Sequence, residues 1–361
     1  MQATKTHRAH RVKLTFFSRL AVVLFAFALI LPPSVLAAGK DGEGVAGDGV
    51  RYLAPIGRAV GIKLFSEGVL VIGLSDIKTE EGNSSPAKAC GLREGDIITH
   101  INGEEVNTIE EVQQLLQELG GQELQVGVLR NQTTTEVTAQ AAQSTTDGSY
   151  KLGAWIRDSM AGIGTMTFYD PVSRLFGTLG HGINDIDTAI LIPLESGSIM
   201  YASVADVKRG ISGQPGELHG RFKVDQDLGE LYANTEGGVF GHLSDTSLAA
   251  GAPLMPVAEA DQVKIGKATI LCNISGDEVC EYEVKITKVL DNAQDTRDLT
   301  LEVTDQRLLD KTGGIVQGMS GSPILQDGKI VGAVTHVMVN DPTRGYGILA
   351  IRMLDLAEAA Q

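Results

Sequence analysis

Cysteine, tryptophan and charge are scarce in this chain of 361 residues: three Cys, one Trp and 21% charged residues. Three cysteines do not make a disulfide-stapled scaffold. Cys90 lies in an apolar Ala-Cys-Gly-Leu run and reads as a core thiol. Cys272 and Cys280 flank Ser275-Gly276-Asp277 and stand to face each other across a hairpin. Spacing leaves open whether they form a disulfide. No histidine or further cysteine has ligand spacing around them, so neither a metal nor another cofactor is expected. Basic residues are also short, 30 against 45 acidic ones, for a net charge of −15. Residues 1–40 hold six of the Lys and Arg and no Asp or Glu, so the remainder is more acidic still. A body of that sign excludes nucleic acid as a partner, which needs a basic footprint.

Long apolar runs are missing too. Leu20–Leu31 holds twelve uninterrupted apolar residues, short for a membrane span and right for a signal-peptide core. Lys5, Arg8, Arg11, Lys13 and Arg19 precede it, and Val35-Leu36-Ala37-Ala38 offers small residues to signal peptidase. Extended back to Leu14, with Arg19 snorkelling, the segment serves equally as an anchor. Residues 1–38 are read as a signal peptide or an N-terminal membrane anchor. The charge ahead of the apolar run places the body outside the cytoplasm.

Glycine is plentiful, 43 residues, which points to many turns and short strands. A linker over 39–56 is followed by an α+β unit over 57–142. In that unit Thr108-Ile109-Glu110-Glu111 forms a capping box, opening a helix with Ile109, Val112, Leu115, Leu116 and Leu119 on one face. Asn102-Gly103 marks a hairpin turn. The stretch Gly91-Leu92-Arg93-Glu94-Gly95-Asp96-Ile97-Ile98-Thr99-His100-Ile101-Asn102-Gly103 resembles a PDZ domain. That resemblance implies an extended peptide ligand, bound as an added strand beside the long helix. Val60-Gly61-Ile62-Lys63-Leu64 matches the carboxylate-binding loop and strand, so Gly61, Ile62, Lys63 and Leu64 are the expected peptide contacts. The alternative is a unit that packs only against the rest of its own chain.

After a polar linker at 143–151, short apolar strands alternate with Gly, Asp and Asn turns to the end, and a helix is expected over Arg352–Ala360. Two short stretches there carry chemistry. Gly318-Met319-Ser320-Gly321-Ser322-Pro323 sets a serine in a glycine turn, where the N–H groups of Gly318 and Ser320 point at one spot beside the hydroxyl and make an oxyanion hole. Phe176-Gly177-Thr178-Leu179-Gly180-His181-Gly182 supplies a histidine to take the serine proton. The turn, the strand after it and the Asp327-Gly328 hairpin resemble the nucleophile region of trypsin-like two-barrel proteases. The base, acid and nucleophile order of such enzymes leaves the acid open among Asp185, Asp187, Asp291, Asp295, Asp298, Asp305 and Asp310. His242 lacks the second flanking glycine, His100 belongs to the PDZ strand, and His336 reads as a strand residue near the substrate cleft. Gly213–Leu218 reads as a structural loop.

The whole chain resembles the stage IV sporulation protein B family of endospore-forming bacteria. The shared strings are Gly164–Asp170, Phe176–Ile183, Gly213–Leu218 and Lys311–Pro323. The resemblance implies a mainly β protein, a PDZ domain followed by a chymotrypsin-like double β-barrel serine protease domain at 152–361. It puts the triad on His181, Asp305 and Ser320. It also implies export from the forespore into the intermembrane space, with initial membrane association through the N-terminal segment. There the protein is expected to cleave itself and then a membrane-embedded regulatory complex, triggering intramembrane proteolytic activation of a late mother-cell sigma factor. Two other readings are a non-catalytic PDZ adaptor with a degenerate barrel and a periplasmic-type quality-control protease. Enzymes of the latter kind usually carry PDZ after the protease.

Overall fold

The computed structural model describes residues 49–290 and 295–361. The expected signal peptide or anchor at 1–38, the linker up to residue 48 and the candidate acid Asp291 lie outside the described residues. The chain divides into Met1–Glu43 and Gly44–Gln361, and everything below concerns the second unit. Among the described residues no helix is long and apolar enough to cross a membrane.

Strand β1 (Tyr52–Leu74) runs through one eleven-stranded sheet made of two parts, a ring and a small outlying sheet. Its irregularity between Phe65 and Leu70 separates the two halves. The second half opens a small sheet with β2 (Ile97–Ile101), β3 (Glu123–Arg130) and β4 (Thr133–Gln140). Helix α1 (Pro86–Ala89) and helix α2 (Ile109–Leu119) cover that sheet. The expected capping box forms at α2: Glu111 N–H donates to Thr108 Oγ1 at 3.2 Å and Thr108 N–H donates to Glu111 Oε2 at 2.9 Å. Val112 and Leu116 are buried against Val69, Ile98 and Val126, which is the core a PDZ domain requires.

Strand β5 (Ala154–Tyr169) pairs with β1 in both parts: Ala154, Trp155, Ile156 and Arg157 beside Leu74 to Leu70, then Ser159 to Tyr169 beside Phe65 to Ala54. With β6 (Leu175–Thr178), β7 (Leu194–Lys208), β8 (Glu217–Thr235) and β9 (Gly238–Leu243), the first half of β1 completes a ring in the order β1-β5-β6-β9-β8-β7. Val60, Ile62, Met166, Phe176, Ile199 and Val239 fill it.

The second barrel is contiguous in sequence: β10 (Gly266–Ser275), β11 (Glu278–Val289), β12 (Leu299–Val303), β13 (Pro323–Gln326), β14 (Lys329–Met338) and β15 (Asp341–Leu349). Helix α3 (Gln306–Thr312) leaves β12, and helix α4 (Ala350–Ala359) follows β15. Met353, Leu354 and Ala357 of α4 pack with Leu53, Phe240 and Ile330, sealing one barrel to the other. The double-barrel architecture expected from the sequence is present.

The expected linker over 39–56 already enters β1, which is paired from Tyr52. One expectation needs correction: Gly61, Ile62, Lys63 and Leu64 are not a peptide-binding strand. They pair with Ile163 to Met160 of β5 on one side and with Met200 to Gly197 of β7 on the other, so neither edge is free for an added strand. Ile62 and Leu64 are buried in the barrel. The nominal linker at 143–151 is ordered as well, with Ala142–Gln143 pairing to Tyr150–Lys151.

Candidate active site

The nucleophile turn is held from three sides. Thr165 on β5 donates its N–H to Ser320 O at 2.9 Å and its hydroxyl to Gly318 O at 2.8 Å. Gly321 N–H donates to Val334 O on β14 at 2.7 Å, and Met319, fully buried, donates to Val316 O at 3.1 Å. Gly321 has φ +95°, and a Cβ there would lie 2.0 Å from Thr165 O, so no other residue lets the turn approach β5 this closely. Gly318 and Ser320 donate no backbone hydrogen bond to any described residue. Their N–H groups are thus left unengaged by the turn itself. Ser320 Oγ donates to Thr335 O at 2.6 Å.

His181 enters from the end of β6 through Leu179, which is buried at φ +66°. A bulky residue in that region is strained and is maintained by the packing around it. The imidazole Nδ1–H donates to Gly182 O at 2.8 Å, which leaves Nε2 as the bare acceptor. Burial pushes the imidazole below its ordinary value, and the Gly182 contact opposes that shift. The ring stacks on His336, centroids 4.7 Å apart and tilted by 33°. His336 is pushed down to about 4, first by burial and then by the neighbouring His181. His336 follows the very residue whose carbonyl takes the Ser320 hydroxyl. Ser320 and His181, 139 positions apart in sequence and on different barrels, therefore both contact the Thr335-His336 pair of β14, one through the Thr335 carbonyl and the other through the His336 ring.

Asp305 takes no part in these contacts. It caps α3, accepting from Arg307 N–H at 2.9 Å, Arg307 Nη2 at 2.7 Å and Glu283 N–H at 3.2 Å. Chiefly the Arg307 guanidinium holds its carboxyl down to about 2. The expectation that Asp305 orients His181 is corrected accordingly: its oxygens are committed to a helix start, a role for which a short acceptor side chain is favoured. Asp185 accepts from Thr188 N–H at 2.9 Å and pairs with Arg157, and Asp298 takes Leu349 N–H at 2.9 Å and Arg352 Nη1 at 2.6 Å. The Gly182 carbonyl occupies the place at Nδ1 where a triad carboxylate would act.

His242 stacks on Tyr232 at 5.2 Å and His100 contacts Thr99, both in other surroundings. The loop Gly213–Leu218 has more to do than the sequence disclosed. Gly216 O accepts from Gln317 N–H and Gln317 O accepts from Leu218 N–H, both at 2.9 Å, so it brackets the residue before the turn. Cys272 and Cys280 face each other in register, and both thiols are free.

Residues 148–354 match the SpoIVB peptidase S55 family. The chain belongs to the SpoIVB peptidase S55 family. Residues 81–130 match the PDZ domain family. A zinc metalloprotease, RasP of Shouchella clausii, is 36% identical over 62 residues, 17% of this chain and 15% of that protein's length. Among solved structures, the HtrA-type protease AlgW with a decapeptide aligns with 56% of this chain and 53% of its own at 11% identity and a TM-score of 0.32. The active form of the Rv3671c protease of M. tuberculosis aligns with 54% of this chain and 72% of its own at 14% identity and a TM-score of 0.30. These are distant likenesses. Together the two family matches give an S55 peptidase domain and a PDZ domain in one chain.

Proposed function

We propose that Ser320 is the nucleophile of this S55 peptidase and His181 its general base. The observation that carries the assignment is the pair of unengaged N–H groups at Gly318 and Ser320, beside a hydroxyl whose acceptor on β14 adjoins the ring stacked on His181. In the reaction the Ser320 hydroxyl turns from Thr335 O to His181 Nε2, gives up its proton there and attacks the scissile carbonyl carbon. The carbonyl oxygen becomes the oxyanion and moves onto Gly318 and Ser320 N–H. The imidazolium then returns the proton to the leaving amine, and water repeats the cycle on the acyl-enzyme. Through these steps Gly182 O keeps the proton on Nδ1. Burial keeps the resting His181 neutral and ready to accept.

Biologically, we infer a sporulation signalling protease, exported from the forespore, that cleaves itself and then a membrane-bound regulator, leading to activation of a late mother-cell sigma factor. Family membership and the basic, then apolar N-terminal segment support that reading. Ser320→Ala in the full chain is expected to abolish self-cleavage and labelling by a fluorophosphonate probe, a rate loss of about 10⁴-fold or more. Undiminished cleavage, or labelling at another residue, would overturn the assignment.

A further inference from the structure

Three successive carbonyls ahead of Ser320 are each held by a donor. Gln317 O accepts from Leu218 N–H on β8 at 2.9 Å, and Met319 O accepts from Ser322 N–H at 3.0 Å. Between them, Gly318 O accepts from the Thr165 hydroxyl on β5 at 2.8 Å. In a trans peptide the N–H lies opposite the C=O, so a held carbonyl also fixes the N–H of the next residue. The bonds to Gln317 O and Met319 O thereby set the directions of the Gly318 and Ser320 N–H groups. The plane between these two peptides is the Gly318–Met319 peptide. Its N–H donates to Val316 O at 3.1 Å from within the turn, and its carbonyl is the one Thr165 holds. Gly318 stands at φ +95°, and a residue without a Cβ resists rotation of the adjoining planes least. Of these partners, Thr165 alone acts through a side chain.

Thr165 also touches the other arm of the site. Its backbone N–H donates to Ser320 O at 2.9 Å, and its carbonyl accepts from Leu179 N–H at 3.3 Å, two residues before His181. The residue belongs to the first barrel and the turn it holds to the second. Packing alone would favour valine here, which has the shape of threonine and no hydroxyl to desolvate. Thr165 is buried, and the bond to Gly318 O offsets the cost of keeping its hydroxyl there. Two positions along β5, Thr167 buries a hydroxyl that has no partner among the described residues. The strand therefore carries its own control.

We propose that Thr165 is a positioning residue for acylation: by holding Gly318 O, its hydroxyl keeps the Gly318 and Ser320 N–H groups convergent on the oxyanion. It touches no substrate and acts through the nucleophile turn. This rests on the Ser320–His181 assignment.

The test uses full chains carrying Thr165→Val, Thr165→Ser or Thr167→Val, titrated with a fluorophosphonate probe. The phosphoryl oxygen of the probe takes up negative charge as the serine attacks, so labelling draws on the same donors as peptide hydrolysis. Thr165→Val is expected to lower the limiting labelling rate at least about tenfold, with the half-saturating concentration unaltered. That split marks an interaction made in the transition state. Thr165→Ser keeps the hydroxyl and should stay within about threefold of the parent, and Thr167→Val within about twofold. Thr165→Ser and Thr165→Ala differ only by the hydroxyl; their ratio should repeat the effect, and it decides the matter if Thr165→Val does not fold. A hydroxyl effect below about tenfold overturns the proposal. So does an equal loss in Thr165→Ser or Thr167→Val, or a loss carried by the half-saturating concentration alone. Failure of the Ser320–His181 assignment shows separately, as labelling that survives Ser320→Ala.

Discussion

The two barrels are rings of strands assembled in opposite ways. The second is written in one stretch, Gly266 to Leu349, and each strand pairs with a near neighbour in sequence or closes the ring. The first is closed by β1, whose partners on β5 and β7 lie about a hundred or more positions downstream, with the PDZ domain inserted between them. The difference is one of loop closure: non-local pairing costs more chain entropy before its contacts form. The teaching is that the PDZ domain is no appendage. Its sheet and the first barrel share two continuous strands.

The sharpest way to break that comparison is Ile62→Asp. Ile62 is 3% exposed in the first barrel, so a carboxylate there is expected to cost about 3–5 kcal/mol. It should abolish hydrolysis of short and long substrates alike, together with a fall in the urea midpoint. If a short chromogenic peptide were still cut normally while long substrates were spared, β1 would belong to a peptide groove and the shared-strand architecture would be wrong.

Asp305→Asn tests the second barrel. The substitution loses the charge that pairs with an exposed Arg307 and leaves a weaker cap, so about 1 kcal/mol of stability and less than tenfold in kcat are expected. A loss near 10⁴-fold, as for the acid of a chymotrypsin-like triad, would restore Asp305 to the catalytic group. Because its carboxyl is held down to about 2 from an ordinary 3.8, its contribution is present above 3.8 and lost as pH falls through about 2. The Asn variant should differ from the parent at neutral pH and converge with it in strong acid.

The smallest effect is at the seam. Burial lowers His181 below its ordinary 6.5, so the neutral base persists into mild acid and the rate falls only below that value. A pH–rate profile on a short substrate checks this. An acid limb centred at or above 6.5 would mean that a carboxylate stabilises the imidazolium, and the Gly182 carbonyl would not be the partner of Nδ1.

Much of this was legible in residues. The capping box at Thr108–Glu111 appears as read, and α4 begins two residues before its expected start. At the Gly318–Pro323 turn, the N–H groups of Gly318 and Ser320 engage no described residue. Two readings were not legible. Val60–Leu64 alternates like any half-buried strand, and alternation says nothing about which sheet a strand joins. Among the candidate acids, chain order had no power to choose.

The sequence by itself determined the local chemistry: which turn can expose a hydroxyl beside two N–H groups, which histidine is flanked by glycines, where α2 starts and that the body is acidic. Those follow from side-chain and backbone preferences within a few residues, and they hold wherever the segment is placed. Tertiary structure alone decided that β1 closes a barrel, that Asp305 serves a helix, that His336 stacks on His181, and that Arg157 reaches the loop after His181. Those are contacts between segments far apart in the chain. They are selected by the burial of whole faces against one another, which no local pattern encodes.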